Sequence, residues 1–337
     1  MFGILRTVLA LYVVLLHIFN VPTLGNYAVT FFFVLSGFLM TLIIHNTYYF
    51  DVEGFKLFWL NRILRLYPIY FVVLILSIIV ILCNTEIILN KAMFLSNSIG
   101  NWFQNITMLY FDIVPHRIRP RMVPTSWALT NELVFYFLIS LGISKTFKRT
   151  LVWLLLSISY YVFTYLYYDL DTFRYSAIPA SSLPFAVGAM VFWLQKYYAN
   201  RIKLISNRSF IVISLVAFLF FNLNAVYFSK MEVFKSFAIY MNLLLAFLTI
   251  WSLYNLKGNN RILKFDNSVG AYSYPIYLSH YFVGFLYALL INYGGISGSF
   301  KLEFKELVPF MILLFVMCYP LVLLDFKMNS IKSKLKR

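Results

Sequence analysis

The sequence predicts an all-α fold, a polytopic transmembrane helical bundle of about ten helices with both termini in the cytoplasm. Three observations predict it. Hydrophobic residues fill 62% of the 337 positions and charged residues 12%, against about 45–50% and about 25% in soluble domains. The apolar residues gather into ten stretches, each near the roughly 20 residues that one crossing requires. Of the 28 Lys and Arg residues, 19 fall in segments on one side of that alternation and 9 on the other, and the richer side marks the cytoplasm.

Each span has its own grounds. The first, 4–20, has a basic entry at Arg6 and an apolar run; no small-x-small cleavage site follows Asn20, so it is expected to be retained rather than removed as a signal peptide. The second covers 27–45. Lys56, Arg62 and Arg65 precede the third, 66–83. The longest connection, 84–126, holds an aromatic-rich stretch at 101–111 that suits the outer interface, then His116, Arg117, Arg119 and Arg121. That basic run either is a solvated loop or greets an anionic glycan or lipid head group.

The fourth span is 127–144; Lys145, Lys148 and Arg149 lead into the fifth, 151–168. Spans at 181–198 and 209–227 bracket Lys196, Arg201, Lys203 and Arg208. Those at 235–254 and 272–293 bracket Lys257, Arg261 and Lys264, and the tenth is 307–325. No repeat, low-complexity tract or Pro/Gly/Ser linker divides the chain. The expected organisation is one membrane domain, 1–326, and a basic cytoplasmic tail, 327–337.

Composition also narrows function. The net charge of +16 is accounted for by cytoplasmic loops, so nucleic acid is not an expected partner; membrane lipid is. Cys83 and Cys318 both sit in apolar stretches, too few for a disulfide framework or a zinc site, and no metal is expected.

Function is sought where polar groups interrupt the hydrocarbon, at a cost of about 3 kcal/mol each at mid-bilayer unless paired or hydrated. Arg6 and His17 are eleven positions apart, close to three turns, and share a face of the first helix. Glu132 enters the fourth helix about one and a half turns from its outer end. Because the two helices run in opposite directions, His17 and Glu132 are expected at similar depth, either as a general-base pair or as a buried structural ion pair. Arg62 and Arg65, three apart, share a face at the expected start of the third span, suited to phosphate or to anchoring at the inner surface. Ser36 and Gly37 allow close approach of a ligand or of a neighbouring helix. Tyr272, Ser273, Tyr274, Pro275, Tyr277 and His280 form a polar stripe with a proline kink in the ninth helix.

Together these residues resemble the acyltransferase-3 family of integral-membrane O-acyltransferases over nearly the whole chain. The resemblance rests on Arg6 and His17; 33–38 with Ser36 and Gly37; Arg62, Arg65, Pro68 and Tyr70; Ser126, Trp127, Leu129, Glu132, Phe135 and Tyr136; Pro184, Phe185 and Gly188; and Ser273, Tyr274, Ile276, Tyr277, Leu278 and His280. It implies transfer of an acyl group, usually acetyl from acetyl-coenzyme A, to a hydroxyl of a surface polysaccharide, O-antigen or related glycan at the bacterial cytoplasmic (inner) membrane. Acyl-CoA is then a substrate and no permanent cofactor is implied. The sequence departs from the family pattern at Ala128, where serine is common, and at Leu133 and Val134, which replace a second acid and a glutamine. Glu132 is left as the single acid there. The hydrolase-like domain that many relatives append is not expected.

The resemblance implies His17 and Glu132 as catalytic residues, and Arg6, Ser36, Arg62, Arg65, Ser126, Trp127 and His280 as substrate-binding positions. In that scheme the donor's phosphates meet the arginines at the inner mouth and its thioester reaches His17 in the outer half. His17 either deprotonates the acceptor hydroxyl or takes the acyl group itself. The alternative from another class is a transporter or flippase of a glycan or lipid-linked substrate, since a polar trail through ten helices also describes a substrate pathway.

Overall fold

The computed structural model of the chain describes residues 2–83, 90–169, 172–198, 208–256, 258–291 and 301–333. Among them are twelve α-helices and no strand. The helices are α1 (Gly3–Phe19), α2 (Leu24–Ile43), α3 (Val52–Cys83), α4 (Ile99–Thr107), α5 (Trp127–Ser140), α6 (Phe147–Tyr167), α7 (Ile178–Tyr198), α8 (Arg208–Tyr227), α9 (Glu232–Tyr254), α10 (Asn260–Gly270), α11 (Ser273–Leu290) and α12 (Leu307–Ser333). All ten expected spans coincide with a helix; α4 and α10 are additional short ones. Arg201, Lys203, Lys257 and residues 334–337 of the expected cytoplasmic segments lie outside the described residues. Within the expected tail, 327–333 continues α12 as helix.

Local chemistry sets the helix ends. α1 stops where Asn20 turns left-handed at φ 57°, a conformation Asn tolerates. Its start is capped from a distance: the Asp266 carboxylate on α10 accepts the backbone N–H groups of Gly3 (2.9 Å) and Ile4 (3.0 Å). Thr146 and Asn259 cap α6 and α10 by accepting the N–H groups of Arg149 and Ile262.

Seven helical stretches are long and apolar enough to cross a membrane, from Leu24–Tyr48 to Phe304–Ser333. α1, α5 and α11 fall short of that standard. α1 and α5 have 17 and 14 residues, and α11 is interrupted by Ser273, Ser279 and His280, all buried. These three carry His17, Glu132 and His280. They are inner helices, freed from facing lipid by the ring around them, in which α6, α8 and α12 expose most of their apolar surface.

α2 and α7 form the most extensive helix–helix seam among the described residues, and a close one. A Cβ on Gly37 would stand 2.1 Å from the Phe185 carbonyl oxygen, and one on Gly188 1.9 Å from that of Val34. Gly37 therefore serves helix packing, the second of its two readings. The rings of Phe33 and Phe185 stack across the seam at 5.3 Å, and Phe135 joins Phe185 at 4.7 Å.

The connection before α5, expected on the outer side, is latched rather than loose. Arg121 is buried; its guanidinium donates to the carbonyls of Pro124 (3.1 Å), Ile118 (2.6 Å) and His116. Arg117 rests on the Phe173 ring at 5.4 Å. Arg121 is thus not available to greet a ligand.

Candidate functional site

A cavity of about 400 Å³ opens between α1, α2, α3, α5, α10, α11 and α12. Five expected site residues line it: Arg6, Ser36, Arg62, Arg65 and Glu132. Sequence reasoning did not assign to the site Tyr136, Asn267, Tyr274, Tyr277, Asp325 and Asn329, which line it too. Arg6 near the start of α1 and Asp325 in the C-terminal third of α12 share this wall, so the start of α1 and that part of α12 lie on one side of the bundle.

The arginines are deeper in their helix than expected. α3 begins at Val52 rather than near residue 66, so Arg62 and Arg65 sit ten and thirteen residues beyond its start, about 15 and 20 Å along the axis. Arg62 is buried; it donates to Asn61 Oδ1 (2.6 Å) and Met40 Sδ (3.4 Å) and lies over the rings of Phe58 and Tyr136. Among the described residues the buried Nε groups of Arg6 and Arg62 have no hydrogen-bond partner. Among the described residues none of the three arginines is within 4.0 Å of a carboxylate. Three guanidiniums against the carboxyl groups of Glu132 and Asp325, with donors unspent, make the cavity receptive to an anion.

Glu132 is hydrogen-bonded within the cavity. Ser36 Oγ donates to its Oε1 at 2.7 Å and the Tyr136 hydroxyl donates to the same oxygen. His17 is elsewhere: its Nδ1 is 2.9 Å from His280 Nε2, with the ring centroids 5.1 Å apart and the ring planes within 19° of each other. The expected pairing of His17 with Glu132 is therefore not the arrangement found. Glu132 shares the cavity with Arg6, and eleven residues of helix place His17 about 16 Å farther along α1. α11 connects the two polar centres, with Tyr277 in the cavity wall and His280 one turn beyond.

The histidine pair has its own surroundings. Tyr281 stacks on His17 at 5.2 Å and lies 4.6 Å from His280, while its hydroxyl accepts from Asn90. Lys301 Nζ donates to the His17 carbonyl at 2.8 Å. Ser126 and Trp127 belong to neither centre. Ser126 is buried, bonded to Val123 O (2.6 Å) and Tyr110 (2.7 Å); Trp127 meets His116 edge-on at 5.4 Å. Both brace the connection before α5 and are not among the residues that line the cavity.

Three of the overlooked residues stood in the sequence patterns without a site role: Tyr136 is four residues from Glu132, one helical turn, and so shares its face, and Tyr274 and Tyr277 belong to the polar stripe of the ninth expected helix. Asp325 and Asn329 carried no such signal, since nothing local tells which way the last helix turns. Among the described residues no three His, Cys, Asp or Glu side chains gather as a metal site.

Comparison with known proteins places this architecture. A Bacillus subtilis (strain 168) protein named "Putative peptidoglycan O-acetyltransferase YrhL" is 31% identical over 144 residues, 40% of this chain and 22% of that protein. The aligned stretch thus spans about a fifth of the relative. No solved structure matches. The family model described as an acyltransferase domain matches residues 2–324, nearly every helix described above, and the chain accordingly belongs to the acyltransferase-3 family, with those residues forming its acyltransferase domain.

Proposed function

We propose that the protein is a membrane O-acyltransferase that moves an acyl group, acetyl in the first instance, from cytoplasmic acyl-CoA to a hydroxyl of a cell-surface polysaccharide, O-antigen or related glycan. Its place would be the bacterial cytoplasmic membrane. The observation that carries this reading is the pairing of an arginine cavity at the start of α1 with a half-buried histidine about 16 Å farther along α1. The guanidiniums of Arg6, Arg62 and Arg65 suit the phosphates of the donor, and the separation suits an extended arm that delivers its thioester toward His17.

His17 then acts on the acceptor hydroxyl as general base, or takes the acyl group transiently. Glu132 works on the donor side, through Ser36 and Tyr136, and balances part of the arginine charge. The family match and the relative's name favour an enzyme over a transporter, since a transporter would release its substrate unchanged.

The test compares surface polysaccharide from cells expressing wild type and His17→Ala at equal membrane levels. Proton NMR should show ester-linked acyl signals, lost on mild base, with wild type only. Equal signals from the variant would remove His17 from the mechanism; signals from neither, in a host with a suitable acceptor, would count against O-acyl transfer to that glycan.

A further inference from the structure

The two histidines are not equivalent. His280 is fully buried, at 0% exposure, whereas His17 keeps part of its surface open. His280 Nδ1 lies 3.2 Å from the Ile276 carbonyl oxygen, one turn earlier on α11. A carbonyl can only accept, so that contact requires the proton of His280 on Nδ1. A neutral imidazole carries one N–H, which leaves His280 Nε2 as a lone pair. The 2.9 Å contact between His280 Nε2 and His17 Nδ1 then takes its proton from His17. With its own N–H committed at Nδ1, neutral His17 has its lone pair on Nε2, and no hydrogen bond engages that atom among the described residues.

Resting on the function proposed above, we infer that His280 is the positioning residue for His17: through the relay from Ile276 O it fixes His17 as the Nδ1–H tautomer and turns Nε2 out as the proton acceptor. The carbonyl plays the part that a carboxylate plays in the hydrolase triads, holding the working imidazole in one tautomer through its far nitrogen. In the reaction, the acceptor hydroxyl gives its proton to His17 Nε2 as its oxygen attacks the thioester carbonyl. The C–O bond forms, the C–S bond breaks, and the proton on Nε2 passes to the leaving thiolate. While His17 is cationic, its Nδ1–H bond to His280 becomes charge-assisted and shortens. The neighbours nearest this charge are Lys301, whose ammonium is bonded to the His17 carbonyl, and Tyr281, stacked on the His17 ring and tilted against that of His280.

The tautomer can be read without turnover. The chain has four histidines, so ¹⁵N-histidine labelling of the full-length protein in lipid nanodiscs yields four rings, and His45→Asn with His116→Asn reduces these to the pair. The expected spectrum has His17 and His280 each protonated at Nδ1 and unprotonated at Nε2. A His17 ring protonated at Nε2 instead would overturn the inference.

A kinetic series gives the second reading. The Gln amide oxygen can stand near the place of His280 Nε2, whereas Asn reaches only the place of Nδ1. His280→Ala and His280→Asn should lower kcat by about 10²- to 10⁴-fold, the range lost with general-base catalysis or with a wrong tautomer, while the donor KM stays put. His280→Gln should recover at least about tenfold of that loss. Equal loss in the Gln and Asn variants, at equal expression and thermal stability, refutes the positioning role. A His17→Ala variant that transfers normally would sink the assignment of His17 while leaving the tautomer measurement to stand by itself.

Discussion

The α2–α7 seam makes a prediction whose size comes from the coordinates. In Gly188→Ala the new methyl would begin 1.9 Å from the Val34 carbonyl oxygen, and in Gly37→Ala 2.1 Å from that of Phe185. Ordinary contact begins at 3.4 Å, so the helices must part by about 1.5 Å or 1.3 Å. Both obstacles are backbone, which has no alternative rotamer; the cost belongs at or above the upper end of the roughly 1–3 kcal/mol found for overpacked cores. The displacement also reaches the site, because Ser36 is next to Gly37 on α2. A shift of α2 by that amount disturbs the 2.7 Å bond from Ser36 to Glu132 on α5, because hydrogen-bond lengths tolerate only a few tenths of an ångström. Thermal unfolding of the detergent-solubilised protein should show a lowered midpoint for either variant, and acyl transfer in membranes should fall in parallel. Gly100→Ala is the control: a Cβ there meets nothing nearer than Ser98 Oγ at 3.7 Å, so stability should stay within about 0.5 kcal/mol. Wild-type midpoints for both Gly37→Ala and Gly188→Ala would refute the claim that two backbones are locked together at this seam.

Removing one charge from the cavity with Arg65→Gln should raise the acyl-CoA KM about tenfold or more, the worth of a charge-assisted hydrogen bond, with a smaller change in kcat; initial rates against donor concentration decide it. Asp266→Ala strips both acceptors from the start of α1 and should cost about 1–2 kcal/mol, the range for a lost helix cap, seen as a lower unfolding midpoint. Outside the membrane, burial, then the Arg121 and Arg119 guanidiniums, push the His116 imidazole down from 6.5 to about 4. The fold therefore prefers neutral His116, and the stability this gives is complete above about pH 6.5 and lost as pH falls through about 4. Relative to His116→Gln, the wild-type unfolding midpoint should drop over that interval.

Much of the fold was legible because lipid imposes one simple demand, that a crossing segment be helical and apolar. All ten expected stretches are helical, seven of the helical stretches being long and apolar enough to cross, with α8 read to within a residue. The demand says nothing about segments that do not cross. α4 and α10 are short, and α10 is polar overall, held by Asp266 reaching back to α1. It also misplaced the start of α3. The run 52–65 mixes Glu53, Lys56, Arg62 and Arg65 with apolar residues and so looks like a flank, but buried packing of Phe58 and Arg62 carries the helix through it.

The site was half legible for a related reason. Sequence gives position along a helix well, and that sufficed to bring Arg6, Ser36, Arg62, Arg65 and Glu132 to one cavity. It gives lateral neighbours poorly, and depth only if the helix starts at the membrane surface. α5 breaks that condition: its 14 residues extend about 21 Å, short of the roughly 30 Å hydrocarbon core. Its outer end is sunk beneath the connection before it, where Thr125 and Tyr277 bond to each other's carbonyls. One and a half turns from a sunken end is deeper than one and a half turns from the surface, so Glu132 arrives in the cavity beside Ser36 instead of beside His17. The partner left for His17 is the second intramembrane histidine, whose sequence signal was plain but whose neighbour was not. A buried carbonyl behind that second ring then does for tautomer selection what the misplaced carboxylate was expected to do.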